Sequence, residues 1–171
     1  MIFVLSDRHI SERMAKLPQK FWDQIKSDDV IFHAGDFIRW EVFQKLKSLA
    51  TLHAVFGNMD DAQIGRLLPQ KKVVQVQGRK IGLCHGSGSP FGLGERVYRE
   101  FEKKCDVLIF GHSHVPYSRK MEDTLLFNPG SLSGNMIPPF AATYGVLTIE
   151  GDDVWAEIFE LKCDSALFTY I

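Results

Sequence analysis

Hydrophobic residues in this chain come in short runs that stop abruptly at polar ones. "MIFVL" breaks at Ser6-Asp7, "DVIFH" runs into Ala34-Gly35-Asp36, and "TLHAVF" runs into Gly57-Asn58. Short apolar runs cut off in this way predict buried strands. Between them the spacing turns helical. "LPQKFWDQIKS" carries a Leu17, Phe21, Ile25 stripe with Pro18 near its start. "WEVFQKLKSLA" puts Phe43, Leu46 and Ala50 on one face, with Val42 and Leu49 beside them. Both patterns suit amphipathic helices. The β-α-β-α-β alternation predicts parallel pairing through right-handed crossovers.

The second half reads differently. "KKVVQVQGRKIGLCHG" alternates around Gly78-Arg79, a hairpin signal, and "FGLGERVYREFEKKC" spaces Leu93, Val97 and Phe101 four apart as a helix would. "DVLIFGHSH" follows as a strand. Two further hairpins are predicted, turning at Glu122-Asp123 and at Gly151-Asp152-Asp153. The sum is a single α/β domain over residues 1–171, parallel in its first half and more antiparallel in its second. The apolar tail "CDSALFTYI" has two candidate places, its own domain or a second subunit of a homo-oligomer.

Composition narrows the function classes. A chain of 171 residues, 45% hydrophobic and 24% charged, is long enough for a good-sized core. Its net charge of −1 comes with no run of lysine or arginine. Bulk nucleic-acid binding and membrane binding are therefore not expected, while a small phosphorylated ligand fits. "MIFVL" is too short and lacks the basic lead of a signal peptide or anchor. Cysteines 84, 105 and 163 are odd in number and scattered, which suggests reduced thiols in a cytoplasmic protein.

The chemistry sits where the strands stop. The five ends read Ser6-Asp7-Arg8-His9, His33-Ala34-Gly35-Asp36, Gly57-Asn58-Met59-Asp60, Cys84-His85-Gly86 and Gly111-His112-Ser113-His114. Ligands bind at the carboxyl ends of strands in open α/β sheets. One such end alone is an ordinary turn. Five in order, delivering aspartates, an asparagine and histidines, make a set of metal-capable donors. His33 and His53 read as core residues or as supports for a neighbouring ligand. Cys84 alternates away from His85 toward the core, and "NPGS" at 128–131 reads as a turn or a brace under the histidine loop.

The series D-x-H, G-D, G-N, H-G and G-H-x-H, in this order, resembles the calcineurin-like metallophosphoesterases. The resemblance extends through "HAGDF", "HAVFGNMD" and "FNPGS" and covers about residues 2–161. It points to the small single-domain phosphodiesterases of bacteria and archaea, a subgroup that includes relatives of the retromer trafficking subunit. The fold so implied is a four-layer α/β/β/α sandwich of two mixed sheets flanked by helices. Asp7 and His9 would hold a first metal and Asp36 would bridge to a second. Asn58 and His85 would hold that second metal, His112 would join it, and His114 would join the first. Asn58 would also contact substrate. Arg8 has two readings: contact with a substrate phosphate, or a side chain turned away and paired with a surface carboxylate.

Two divalent ions against two aspartates leave the site about two positive charges, which suits a phosphodiester. A hydroxide bridging the ions would be the nucleophile, consistent with the lack of a G-x-S-x-G or P-loop pattern. Manganese is expected first, with iron, nickel, cobalt and zinc compatible with the donors. The implied activity is a metal-dependent phosphodiesterase acting on a small phosphodiester. The alternatives are a protein-binding scaffold of the retromer-subunit type and a phosphomonoesterase. Two positions depart from the pattern. Met59 stands where many of the wider family have a proton-donating histidine, and Ser87 stands where close relatives read H-G-H.

Overall fold

The computed structural model describes residues 1–8, 17–102, 104–134 and 141–161. The expected ligand His9, Cys163 and the tail lie outside these residues. Among the described residues fourteen elements follow one another: β1 (Ile2–Leu5), α1 (Gln19–Asp23), β2 (Val30–His33), α2 (Trp40–Leu49), β3 (Thr51–Ala54), α3 (Ala62–Leu67), β4 (Lys71–Val76), β5 (Arg79–Cys84), α4 (Leu93–Glu100), β6 (Val107–Ile109), β7 (Tyr117–Met121), β8 (Thr124–Asn128), β9 (Ala142–Glu150) and β10 (Asp153–Leu161).

Two five-stranded sheets result, ordered β10-β9-β1-β2-β3 and β4-β5-β6-β8-β7. The parallel first half is as expected, with Leu5 opposite His33 and His33 opposite Ala54. The second half is more mixed than the sequence suggested. β4–β5, β7–β8 and β9–β10 are antiparallel hairpins, but β5, β6 and β8 pair in parallel. The chain closes on itself when β9 pairs antiparallel with β1.

Alternation along the strands builds three apolar layers. Val4, Phe32 and Val55 from one sheet meet Ile81, Leu83, Ile109 and Phe127 from the other. Phe3, Leu5 and Ile31 face outward onto Phe21, Trp22, Val42, Phe43 and Leu46 of α1 and α2. Leu108, Phe110 and Leu126 face Leu93, Val97 and Tyr98 of α4. Each fully buried side chain of this size contributes about 1.5–3 kcal/mol. The order is helix, sheet, sheet, helix, which is the four-layer sandwich.

α3 has no counterpart in the sequence reading. It is six residues long, contains Gly65, and is started by Asp61, whose carboxylate accepts the Ile64 N–H at 2.9 Å. α1 is shorter than its segment suggested, yet Leu17, Phe21 and Ile25 are all buried as the stripe required.

Candidate metal centre

β1 and β2 end side by side, and the chain turns sharply at both ends. The Asp7 N–H donates to the Gly35 carbonyl at 3.2 Å and the Arg8 N–H to the Asp36 carbonyl at 2.9 Å. Asp7 and Asp36 take left-handed backbone conformations, with φ of 53° and 59°; His112 and His114 do the same at 69° and 57°. Such a conformation costs a non-glycine residue about 1–3 kcal/mol and persists only when its surroundings impose it. Here they do. The His112 N–H donates to Asp7 Oδ2 at 3.0 Å, and the Ser131 hydroxyl donates to the Asp7 carbonyl at 2.6 Å. The Met59 N–H donates to Asp36 Oδ1 at 2.8 Å.

Two glycines let backbone pass directly against these carboxylates. A Cβ on Gly111 would lie 1.9 Å from Ser6 Oγ and 2.6 Å from Asp7 Oδ2. A Cβ on Gly57 would lie 2.1 Å from Asp36 Oδ1. The G-N and G-H-x-H pairs are thus steric requirements of the site as well as turn signals.

His85 and His112 converge on Asn58. His85 Nδ1 lies 2.7 Å from the Ala34 carbonyl and its Nε2 lies 3.0 Å from Asn58 Oδ1. His112 Nε2 lies 2.9 Å from the Gly88 carbonyl and its Nδ1 lies 3.1 Å from Asn58 Oδ1. A carbonyl only accepts, so the ring nitrogen facing it carries the hydrogen and the other presents a lone pair. His85 Nε2 is also 3.3 Å from Asp36 Oδ2. Two imidazole lone pairs, an amide oxygen and a carboxylate oxygen therefore face one another. In neutral rings no hydrogen lies between them. With the Asn58 amide in this orientation the arrangement is unfavourable until a cation occupies it, and nitrogen–oxygen donors of this kind suit a divalent transition metal.

The other half of the centre is built on charge. His114 Nε2 is 3.2 Å from Asp7 Oδ1, and His85 Nε2 is 3.9 Å from the same oxygen. Asp7, Asp36 and His85, all buried, offer ligand atoms within 4.8 Å of one another. Of the seven expected ligands the structure brings six together; the seventh, His9, lies outside the described residues.

Electrostatics fit a cation. Burial pulls the Asp36 pKa upward, but the hydrogen bond and charge of His85 outweigh it and hold the carboxyl below its usual range. Burial pulls His85 downward, but its bond to Asp36 and the charges of Asp7 and Asp36 raise it above the ordinary value. The two aspartates draw positive charge to this point, whether proton or metal. Burial pushes the Cys84 thiol up to about 12, and its side chain packs toward α4. It is core, as its alternation predicted.

Around the ligands stand residues that hold them. Asn128 Nδ2 donates to the Gly111 carbonyl at 2.8 Å and to Ser113 Oγ at 3.1 Å, so "NPGS" does brace the histidine loop. The sequence reading missed Asp60. Its carboxylate accepts the N–H groups of Asp36, Ile38 and Gly57 at 3.0, 2.9 and 2.8 Å, tying the β2 and β3 ends together. An aspartate closing a Gly-Asn turn was the available signal. His33 is fully buried, accepts the Gly35 N–H and stacks on Phe37 at 3.6 Å. His53 packs against Phe32.

Arg8 is 8% exposed, and its guanidinium lies 5.6 Å from the Trp22 ring centre. Among the described residues its contact is this indole, and neither a carboxylate nor an open phosphate site is seen beside it. Ser87 lines a cleft of about 150 Å³ with Asn58, Gln70, His85 and Glu100. A larger cleft of about 630 Å³, beside Arg79, Asp106 and Trp155, contains none of the ligands.

Residues 1–152 match the calcineurin-like phosphoesterase superfamily domain, and the chain belongs to that superfamily. It is similar to a probable metallophosphoesterase of Methanothermobacter thermautotrophicus, 35% identical over 160 residues that span 92% of this chain and 91% of the relative. Among solved structures it resembles a Thermotoga maritima protein, at 33% identity and TM-score 0.70, covering 94% of this chain and 98% of that one. It also resembles Vps29 of Entamoeba histolytica in complex with zinc, at 25% identity and TM-score 0.71, covering 94% and 99%. Members of this superfamily typically use divalent metals, and the centre described here could hold one. Among the described residues, no helix is long and apolar enough to cross a membrane.

Proposed function

We propose that this chain is a phosphodiesterase working with two divalent cations, manganese first among them. The observation that supports the reading best is the convergence of His85, His112, Asn58 and Asp36 donors on one point beside buried Asp7. When bound, such cations supply an activated water and neutralise the phosphoryl oxygens. Asp36 is the proposed bridge. Asp7, His114 and His9 are the proposed ligands of one ion, and Asn58, His85 and His112 those of the other. Zinc is a second candidate, since Vps29 of Entamoeba histolytica was solved with it. Asn58, exposed at the mouth of the centre, is also the proposed substrate contact.

Met59 decides the substrate bias. It is 55% exposed and cannot donate a proton. A missing general acid costs about 10²–10⁴-fold in rate. Esters whose leaving group departs without a proton are therefore favoured, which places aryl and other activated diesters ahead of alkyl monoesters. The narrow cleft at Asn58 and His85 suits a small diester. The Vps29 likeness keeps a protein-binding scaffold as the second reading. The convergence of six of the seven expected ligands among the described residues supports the enzyme reading.

The test is turnover of an activated aryl phosphodiester in manganese by the wild type, Asp36→Asn and His112→Ala. The wild type turns over and both variants fall to background. A wild type that binds manganese yet is no faster than the variants overturns the phosphodiesterase reading.

A further inference from the structure

The segment between β5 and α4, "GSGSPFG" at 86–92, is rich in glycine and serine and has little intrinsic stiffness. It is nevertheless held at three points by one side chain. Arg96, in the first turn of α4, reaches back beneath it. Its Nη1 donates to the Phe91 carbonyl at 2.7 Å, and its Nη2 donates to the Ser87 carbonyl at 3.0 Å and to the Ser89 carbonyl. Among the described residues no carboxylate pairs with this guanidinium, so its donors serve the loop. The planar fork of arginine can reach several acceptors at fixed angles; a lysine ammonium is a point charge on a flexible stem.

Two of the clamped carbonyls, Ser87 and Ser89, flank Gly88. That glycine has φ of 77°, and its own carbonyl lies 2.9 Å from His112 Nε2. This contact leaves the hydrogen on Nε2 and turns the Nδ1 lone pair toward Asn58 Oδ1. Among the described residues no other polar contact of the His112 ring fixes this choice, because Asn58 Oδ1 alone would favour a hydrogen on Nδ1.

We infer that Arg96 is a positioning residue: by clamping the loop it holds the Gly88 carbonyl on His112 and so selects the ring nitrogen that faces the metal centre. The inference rests on the proposed role of His112 as a ligand. Arg96 touches neither the expected ligands nor any substrate space described above. It acts through one carbonyl. Groups that orient a metal-ligating histidine through its other nitrogen commonly change metal affinity 10–100-fold when removed.

The experiment uses the full chain and two readouts. Long-range nitrogen–proton NMR on the metal-free protein, at a pH where His112 is neutral, reports its tautomer. Calorimetric titration with manganese reports affinity. Wild type shows His112 as the Nε2–H tautomer. Arg96→Met loses that preference, giving averaged nitrogen shifts. It also weakens one manganese step about 10-fold and leaves the other within two-fold. Arg96→Lys, which keeps the charge but not the fork, gives an intermediate result and serves alone if Arg96→Met does not fold. Nε2–H retained in the variants, or manganese affinity unchanged at both steps, overturns the inference. The NMR result needs no metal and no turnover, so a failure of the phosphodiesterase reading shows separately, in the activity assay.

Discussion

The two halves of the centre are made by different physics. Around Asp7 and His114 the attraction for a cation comes from buried carboxylate charge, and precision comes from backbone. Left-handed turns, a glycine with no room for a side chain, and hydrogen bonds from the His112 N–H and the Ser6 hydroxyl to the Asp7 carboxylate and from the Ser131 hydroxyl to its carbonyl fix where the charge sits. Around Asn58, His85 and His112 every donor but Asp36 is neutral. Attraction there depends on which ring nitrogen faces inward, and carbonyls of Ala34 and Gly88 set that choice from behind. A charge attracts from any nearby position, whereas a lone pair attracts only if correctly aimed. The first half should therefore be sensitive to displacement, and the second to loss of orientation.

The largest effect belongs to displacement. In Gly111→Ala the new methyl would meet Ser6 Oγ at 1.9 Å and Asp7 Oδ2 at 2.6 Å, and something must move. Moving Asp7 by about 1 Å is expected to lower turnover of an aryl diester about 10²-fold. Manganese binding through Asn58, His85 and His112 should be less affected, as calorimetry would show. Equal loss at both steps would mean the halves are not separable. The Arg96 variants probe orientation, with a smaller expected effect of about 10-fold on one step.

A different kind of effect, on stability and not on the centre, separates both halves from the histidine that belongs to neither. His33 is buried like His85, but faces Phe37 and the Gly35 N–H, and burial lowers its pKa to about 3. The unfolded chain then binds the extra proton between about pH 3 and 6.5. This contribution to stability is complete above about pH 6.5 and falls with decreasing pH, by at most about 1.4 kcal/mol per pH unit. His33→Phe, which keeps the stack, should flatten the loss of stability by that amount in urea denaturation between pH 4 and 7. An unchanged slope would mean that His33 is not buried neutral.

Much of this was legible in the chain. Asp7, Asp36, Asn58, His85, His112 and His114 each follow an apolar run, and periodicity finds strand ends well. The α3 turn was invisible because six residues with a glycine give no period. Parallel pairing of β5, β6 and β8 was hidden because neighbour order is decided by inter-sheet packing, which local spacing does not encode. The Gly88 and Ala34 carbonyls could not be seen at all, since every residue has a carbonyl. Arg8 was ambiguous for a related reason. Alternation gives the face a side chain takes, and only packing shows that Trp22 waits there.

The central claim is that the lone pairs and carboxylates face cations. Anomalous diffraction from crystals soaked in manganese tests it most directly. The account predicts two neighbouring peaks, one contacting His85 Nε2, His112 Nδ1 and Asn58 Oδ1, the other contacting Asp7 and His114 Nε2, with Asp36 between them. No peak among His85, His112 and Asn58 at saturating manganese would contradict it.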